Sequence, residues 1–528
     1  MIFRAPEPDI PIPDVALTPF LLERADRYGD RTAFIEGSTG RVVSFAGWAR
    51  SVRQVAAGLA RRDFRKGDVF AISSPNVPEY AELFHGVSLA GGVNTTVNPM
   101  ATAEELARQL RDSGAIYLAT TSAVLPNALA AAAASGVREV FVFDDDARAT
   151  PFQSLRDAAG EPPNPKLDPT ADLVALPYSS GTTGLPKGVM LTHRNLVANV
   201  LQANASVDVR DGDVVLGVLP FFHIYGMSVI MNVSLYRGLT VVTMPRFDLE
   251  QCLSVIQKHR VSLAFVVPPI VLALAKSPLV DRYDVRSVRM LFSGAAPLGD
   301  EVAAAAAARL GCGVTQGYGL TETSPVTHAG RARDGACVSG VGPPAPNTEV
   351  RVVDLETGRD AGPKQEGEIW IRGPQVMKGY LNRPDATAAM IDPEGWLRTG
   401  DVGYADETGG FFLVDRVKEL IKYKGFQVAP AELEAVLLSH PCIADAAVIP
   451  LPDEDAGEIP KAYVVLRSEA TADDIMTYVA DRVARYKQLR RVEITDQIPK
   501  SPSGKILRRV LVDRERARAQ QAGGQPEA

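Results

Sequence analysis

The run Tyr178-Ser179-Ser180-Gly181-Thr182-Thr183-Gly184-Leu185-Pro186-Lys187-Gly188 sets hydroxyls, three glycines and a lysine behind a short apolar stretch, Leu173 to Leu176. Glycines let the backbone approach an anion and reach unusual φ values. The hydroxyls donate hydrogen bonds and Lys187 adds positive charge, so the run reads as a grip for a polyphosphate. It is not a Walker A loop, which needs Gly-x-x-x-x-Gly-Lys-Ser/Thr; Lys187 stands between Pro186 and Gly188. A polar surface turn is the plain alternative, but it has no need of this order of residues. Three further sites have chemical potential. His223 sits in an aromatic run, Pro220-Phe221-Phe222-His223-Ile224-Tyr225, at the end of an expected strand. A core histidine satisfied by hydrogen bonds is the alternative, and its place one α/β unit after the phosphate loop favours function. Ser293-Gly294-Ala295-Ala296-Pro297 is a chain of small residues against which a flat ring could slide. Lys505 follows Pro499, Pro502 and Gly504, in a loop that positions it rather than in a helix. The triplet Asp144-Asp145-Asp146 reads as a solvated loop, because adjacent turn residues point apart. Gly311-Cys312-Gly313 lacks the Gly-x-Gly-x-x-Gly spacing of a dinucleotide fingerprint.

The loop resembles the signature of adenylate-forming enzymes: acyl-CoA synthetases, firefly luciferase and peptide-synthetase adenylation domains. Its continuation, Val189-Met190-Leu191-Thr192-His193-Arg194-Asn195, is similar to 4-coumarate/cinnamate–CoA ligases and their bacterial relatives. That resemblance implies roles for named residues. Ser179, Ser180, Gly181, Thr182, Thr183, Lys187 and Ala295 would hold ATP. Gln316, Gly317, Tyr318 and Thr321 belong to a second motif, with Tyr318 stacking on adenine and Thr321 touching the α-phosphate. Glu322 would hold Mg²⁺, for which one carboxylate plus phosphate oxygens is usual. Asp401, in Thr399-Gly400-Asp401, and Arg416 would bind the ribose. Lys418 matches a hinge residue that also borders the nucleotide, and Lys505 matches the catalytic lysine of adenylation. Lys422 and Gln427 match residues implicated in catalysis; Lys424, Gly425 and Arg246 match positions toward CoA. His223 would close over an acid pocket lined by Tyr225, Gly294 and Ala295. Two departures bear on substrate. No acidic residue stands at 223–224 to hold an amine, and Phe292 replaces a lysine found in several plant 4-coumarate ligases.

The elements that must position these residues alternate strand and helix. Val69–Ser73, Ile116–Thr120 and Val140–Phe143 read as strands, and Pro78–Ala90 and Ala103–Asp112 as helices. The alanine-rich Ala128–Ala134 reads as a packed helix, and Leu191–Gln202 as a helix behind the loop. Such alternation predicts a parallel α/β sheet. After about residue 338 short strands between Gly/Pro turns take over. The expected fold is α/β: a large N-terminal domain, 1–417, of two parallel sheets plus a small β-subdomain (about 338–415). A smaller, mobile α+β domain, 418–528, would follow, with its hinge at Lys418.

At 528 residues, 46% hydrophobic and 23% charged, the composition is that of a globular enzyme of more than one domain. A formal net charge of −7 argues against nucleic acid as partner. Cysteines 252, 312, 337 and 442 show no metal spacing, and no signal peptide or membrane span is evident, so a cytoplasmic protein is expected. ATP, Mg²⁺ and coenzyme A are the expected cofactors and a small carboxylic acid the partner. The chain ends soon after Lys505, so no fused carrier domain is expected. An aryl-propenoic acid is favoured. A medium- or long-chain fatty acid, or loading of a separate carrier protein, stays open; a luciferase-like oxygenase, which would use the same motifs, is disfavoured.

Overall fold

The computed structural model describes residues 1–157, 160–179, 186–331, 339–424, 426–453, 455–501 and 504–522. Among these residues four sheets form. One has eight strands and a second nine; both are parallel through their centres, the first with antiparallel strands at both edges and the second at one edge only. A four-stranded antiparallel sheet, Glu349–Val353, Gly367–Arg372, Leu397–Ala405 and Phe411–Arg416, stands beside them. The last sheet, of five strands, lies within residues 421–494. The α/β class expected from the alternation is the one observed.

One apolar core runs through both large sheets, from Leu17 to Leu397. The last sheet has its own core of Ile421, Val428, Leu433, Leu437, Val448 and Ile475. Separate cores let two bodies move against each other without exposing either interior. The N-terminal arm is stitched to the antiparallel sheet: Phe3 and Val350 exchange backbone hydrogen bonds of 2.8 and 2.9 Å.

The helix expected to begin at Leu191 starts instead at His193 and runs to Ser206. Lys187–Thr192 is a strand, because Val189 and Met190 pair with Tyr380 and Gly379 while Leu191 pairs with Ala175. Thr192 then ends the strand and starts the helix by a capping box with Asn195. The alanine-rich stretch is helical over Leu125–Ala133, and Asp144 to Asp146 lie in a loop where Asp146 pairs with Arg148. No described helix is long and apolar enough to cross a membrane.

Candidate active site

Four neighbouring parallel strands of the eight-stranded sheet aim their carboxyl ends at one region: Val214–Gly217, Leu263–Val266, Met290–Ser293 and Gly313–Gly319. The carboxyl end of such a sheet is where loops can converge on a ligand. The chain leaving the first strand presents His223 and Tyr225. The second leads to Val267–Pro269, the third to Gly294–Leu298 and the fourth to Thr321 and Glu322.

Ser179 and Lys187 are cross-strand partners at the base of the Gly-rich loop. Ser180, Gly181, Thr182 and Thr183 lie outside the described residues. Ser179 Oγ donates to Glu322 Oε1 at 2.8 Å, and Tyr380 Oη donates to the same oxygen at 2.7 Å. Lys187 Nζ lies 4.7 Å from the centroid of the Tyr380 ring. Glu322 is buried, and sits in a one-turn 3₁₀ helix, Thr321–Thr323. Tyr380 was not foreseen. It enters by a two-residue strand far along the chain, and no local pattern marks it.

A second corner is built on the antiparallel sheet. Asp401 and Arg416 face each other on adjacent strands, 3.1 Å from Oδ1 to Nε. Tyr318 Oη donates to Asp401 Oδ2 at 2.6 Å. Burial pushes the Asp401 carboxyl above its usual range, while Arg416 beside it pulls the other way. The Tyr318 ring also packs on buried His328. Gln316 has its amide engaged on both sides by the Leu298 backbone, at 2.9 and 3.1 Å, which fastens the 294–298 loop. Gly317 sits under the Phe292 ring so closely that a Cβ there would lie 2.4 Å from it. Ala295 has φ +70°, the left-handed region that costs a residue with a Cβ of order 1–3 kcal/mol.

Lys505 reaches this region from the C-terminal unit. Its loop is tied by Ser501 N–H to the Lys505 carbonyl and by Gly504 N–H to the Ser501 carbonyl, both 2.8 Å. Gly504 has φ +78°, and a Cβ there would stand 3.1 Å from Val267. Only glycine combines that conformation with such close approach. Burial, then Arg416 beside it, lowers the Lys505 ammonium to about 8; Glu419 and Asp401 oppose the shift. Burial, then nearby Lys505, lowers His223 to about 4. His223 Nδ1 accepts the Tyr225 N–H at 3.2 Å, which assigns the neutral ring's proton to Nε2. Tyr225 Oη donates to the Phe292 carbonyl at 3.0 Å, and its ring lies against Gly294. The segment Tyr225–Asn232 that follows winds as a π-helix, which sequence periodicity did not signal.

The remaining sites lie apart from this cluster. Lys418 is exposed in the turn after Arg416. Lys422 and Gln427 are exposed cross-strand partners in a hairpin, with Lys424 at its exposed tip. Gly425 lies outside the described residues. Arg246 is exposed after the strand Thr240–Thr243. Cys252 and Cys312 are buried thiols and Cys442 is half-buried. Among the described residues no three His, Cys, Asp or Glu side chains converge as a metal cluster.

The model of AMP-binding enzymes matches residues 21–381, and that of the AMP-binding enzyme C-terminal domain matches 432–505. The chain belongs to the AMP-binding enzyme family. Its curated relatives in that family include a 4-coumarate–CoA ligase of Pinus taeda, 45% identical over 97% of both chains. Another is 4-coumarate–CoA ligase 2 of Petroselinum crispum, 44% identical over 97% of this chain and 96% of that one. Among solved structures, ATP-bound MatB from Rhodopseudomonas palustris superposes with TM-score 0.85 at 28% identity, covering 94% of this chain and 98% of that one. The o-succinylbenzoate–CoA synthetase of Bacillus subtilis, bound to its acyl-adenylate intermediate, gives 0.80 at 30% identity over the same shares.

Proposed function

We propose that this AMP-binding enzyme is an ATP-dependent acid–CoA ligase that activates aryl-propenoic acids of the cinnamate and 4-coumarate type. The observation behind this reading is the half-buried Lys505 within electrostatic reach of the Asp401–Arg416 pair, near strand ends that also present Glu322 and His223. The names of the curated relatives supply the acid class. The surroundings of Tyr225, whose ring packs edge-on to Phe265 and against Gly294, agree with a flat apolar acid.

In the first step a carboxylate oxygen attacks the α-phosphorus of ATP and pyrophosphate leaves, yielding an acyl-adenylate. Two anions must meet, so the barrier is largely electrostatic. Lys187 and the loop hydroxyls hold the β- and γ-phosphates, Lys505 meets the charge developing on the α-phosphoryl group, and Asp401 with Arg416 orients the ribose. Glu322 fits Mg²⁺, a hard ion commonly held by one or two carboxylates, phosphate oxygens and water. When bound, that ion neutralises phosphate charge. Neutral His223 directs an Nε2–H donor toward the acid.

In the second step the domain 418–528 rotates about Lys418. Lys505 leaves, and the hairpin bearing Lys422, Lys424, Gly425 and Gln427 arrives to shape a thiol channel, with Arg246 toward the CoA phosphates. The CoA sulfur, losing its proton, attacks the acyl carbon; AMP departs and the thioester forms. Hinge motions of this kind are ordinary.

A panel of cinnamic, benzoic and fatty acids, assayed for CoA-dependent AMP release and product mass, tests the reading. The highest kcat/KM is expected for cinnamate or 4-coumarate with an acyl-CoA product. A preference for alkyl acids would overturn the substrate class, and AMP release that ignores CoA would overturn the acceptor.

A further inference from the structure

The helix Pro430–Ser439 lacks the end groups that helices usually carry. Its N-cap, Ala429, makes no side-chain cap, and its last turn holds no basic residue. Pro430 has no N–H, so Ala431 offers the first unpaired donor of the helix. Both missing groups come from before the hinge. Asp415 Oδ2 accepts the Ala431 N–H at 2.9 Å, and Lys276 Nζ donates to the Leu438 carbonyl at 2.9 Å. Between the two ends the helix lies on the N-terminal body: a Cβ at Gly299 would rest 3.5 Å from the Ala435 Cβ, an ordinary contact. An anion therefore sits at the positive end of the helix dipole and a cation at its negative end. Beyond the hinge, Glu419 pairs with Arg508, which also pairs with Glu434 on this helix. Glu419 thus belongs with the C-terminal body, and Asp415 and Lys276 lie on the other side.

We propose that Asp415 and Lys276 are positioning residues, a two-ended clamp on the helix Pro430–Ser439 that sets the balance between the adenylate-forming orientation and the thioester-forming one. The inference rests on the rotation about Lys418 proposed above. Rotation leaves both clamp residues behind and hands Ala431 N–H and the Leu438 carbonyl to water. The clamp therefore favours the orientation in which Lys505 lies half-buried at the site.

The test compares the two half-reactions in the full-length enzyme. Pyrophosphate exchange reports adenylate formation, and CoA consumption from supplied acyl-adenylate reports thioester formation. Each rate scales with the population of its own orientation, so their ratio follows the equilibrium constant between the two, whatever its starting value. Lys276→Met and Asp415→Ala should each raise the ratio of thioester to adenylate formation by roughly three- to tenfold. The double variant should approach the product of the two, since the sites lie at opposite helix ends. Lys276→Arg, which keeps a cationic donor, should hold the ratio close to that of the unmodified enzyme. A parallel fall in both rates, as from a merely structural role, or an unchanged ratio, would overturn the clamp. A fluorophore pair spanning the hinge separates the two ideas. If the pair reports no change between adenylate-bound and CoA-bound enzyme, the rotation fails and the clamp with it. If the pair moves while the ratio stays fixed in the variants, the clamp alone fails.

Discussion

Lys505 and Lys422 belong to the same C-terminal unit and occupy opposite surroundings. Lys505 is half-buried within electrostatic reach of Asp401 and Arg416, and its ammonium is pushed down to about 8. Lys422 is exposed on a short hairpin whose backbone is held by Glu458. In the sequence both are lysines of short basic segments near a glycine. The fold brings one to the site and leaves the other in solvent, which is the arrangement expected if one domain presents two faces in turn. Which lysine matters to which half-reaction is therefore a question about orientation.

The most direct way to break this contrast is Lys505→Ala. Loss of one preorganised charge on the developing phosphoryl anion should slow adenylate formation by about 10²- to 10³-fold, with thioester formation from supplied acyl-adenylate nearly unchanged. Equal losses in both half-reactions would end the division of labour. The same lysine predicts a pH effect. Its lowered value means that the proton is lost as pH rises through about 8, well below the ordinary lysine range, so kcat/KM for ATP should fall on that side. A pH profile of Lys505→Arg should carry its basic limb to higher pH.

Lys418→Pro probes the proposed motion between the faces. A ring that locks φ in the turn should spare pyrophosphate exchange and slow thioester formation by on the order of 100-fold; rapid-quench measurement of both steps decides. Asp401→Ala removes the partner of Arg416 and Tyr318. Loss of charge-assisted hydrogen bonds should raise KM for ATP by about ten- to a hundredfold, and an unchanged value by exchange kinetics would discard the ribose assignment. The smallest effect belongs to Tyr380→Phe. It deletes one hydroxyl donor to Glu322 but keeps the ring beneath Lys187, so the requirement for Mg²⁺ should rise about two- to tenfold, read by titrating the metal in the exchange assay.

Residues that act through local order were legible beforehand. The loop before Lys187, the small residues at 293–297 and the Gly504–Lys505 turn announce themselves because glycine, hydroxyl and proline have conformational meanings that neighbours do not alter. The alternation that predicts parallel sheets is legible for the same reason, since burial imposes its period along each strand. The sequence places the start of this helix at Leu191, two residues before its position at His193. Val189 to Leu191 are as apolar as a helix face, and only their pairing with Tyr380, Gly379 and Ala175 makes them a strand.

The sequence by itself determined the groups on offer: a hydroxyl- and glycine-rich run ending in Lys187, and a lysine, Lys505, in a Pro/Ser/Gly loop; the resemblance added expected roles for Glu322, Asp401 and Arg416. Tertiary structure alone decided that Tyr380 shares an oxygen of Glu322 with Ser179, that the Gln316 amide fastens the 294–298 loop, and that Asp415 and Lys276 grip the two ends of one helix. Each of these joins residues distant in sequence or buried by packing. No local preference encodes such a contact, because its energy exists only once separate elements have removed the groups from water and left each other as partners.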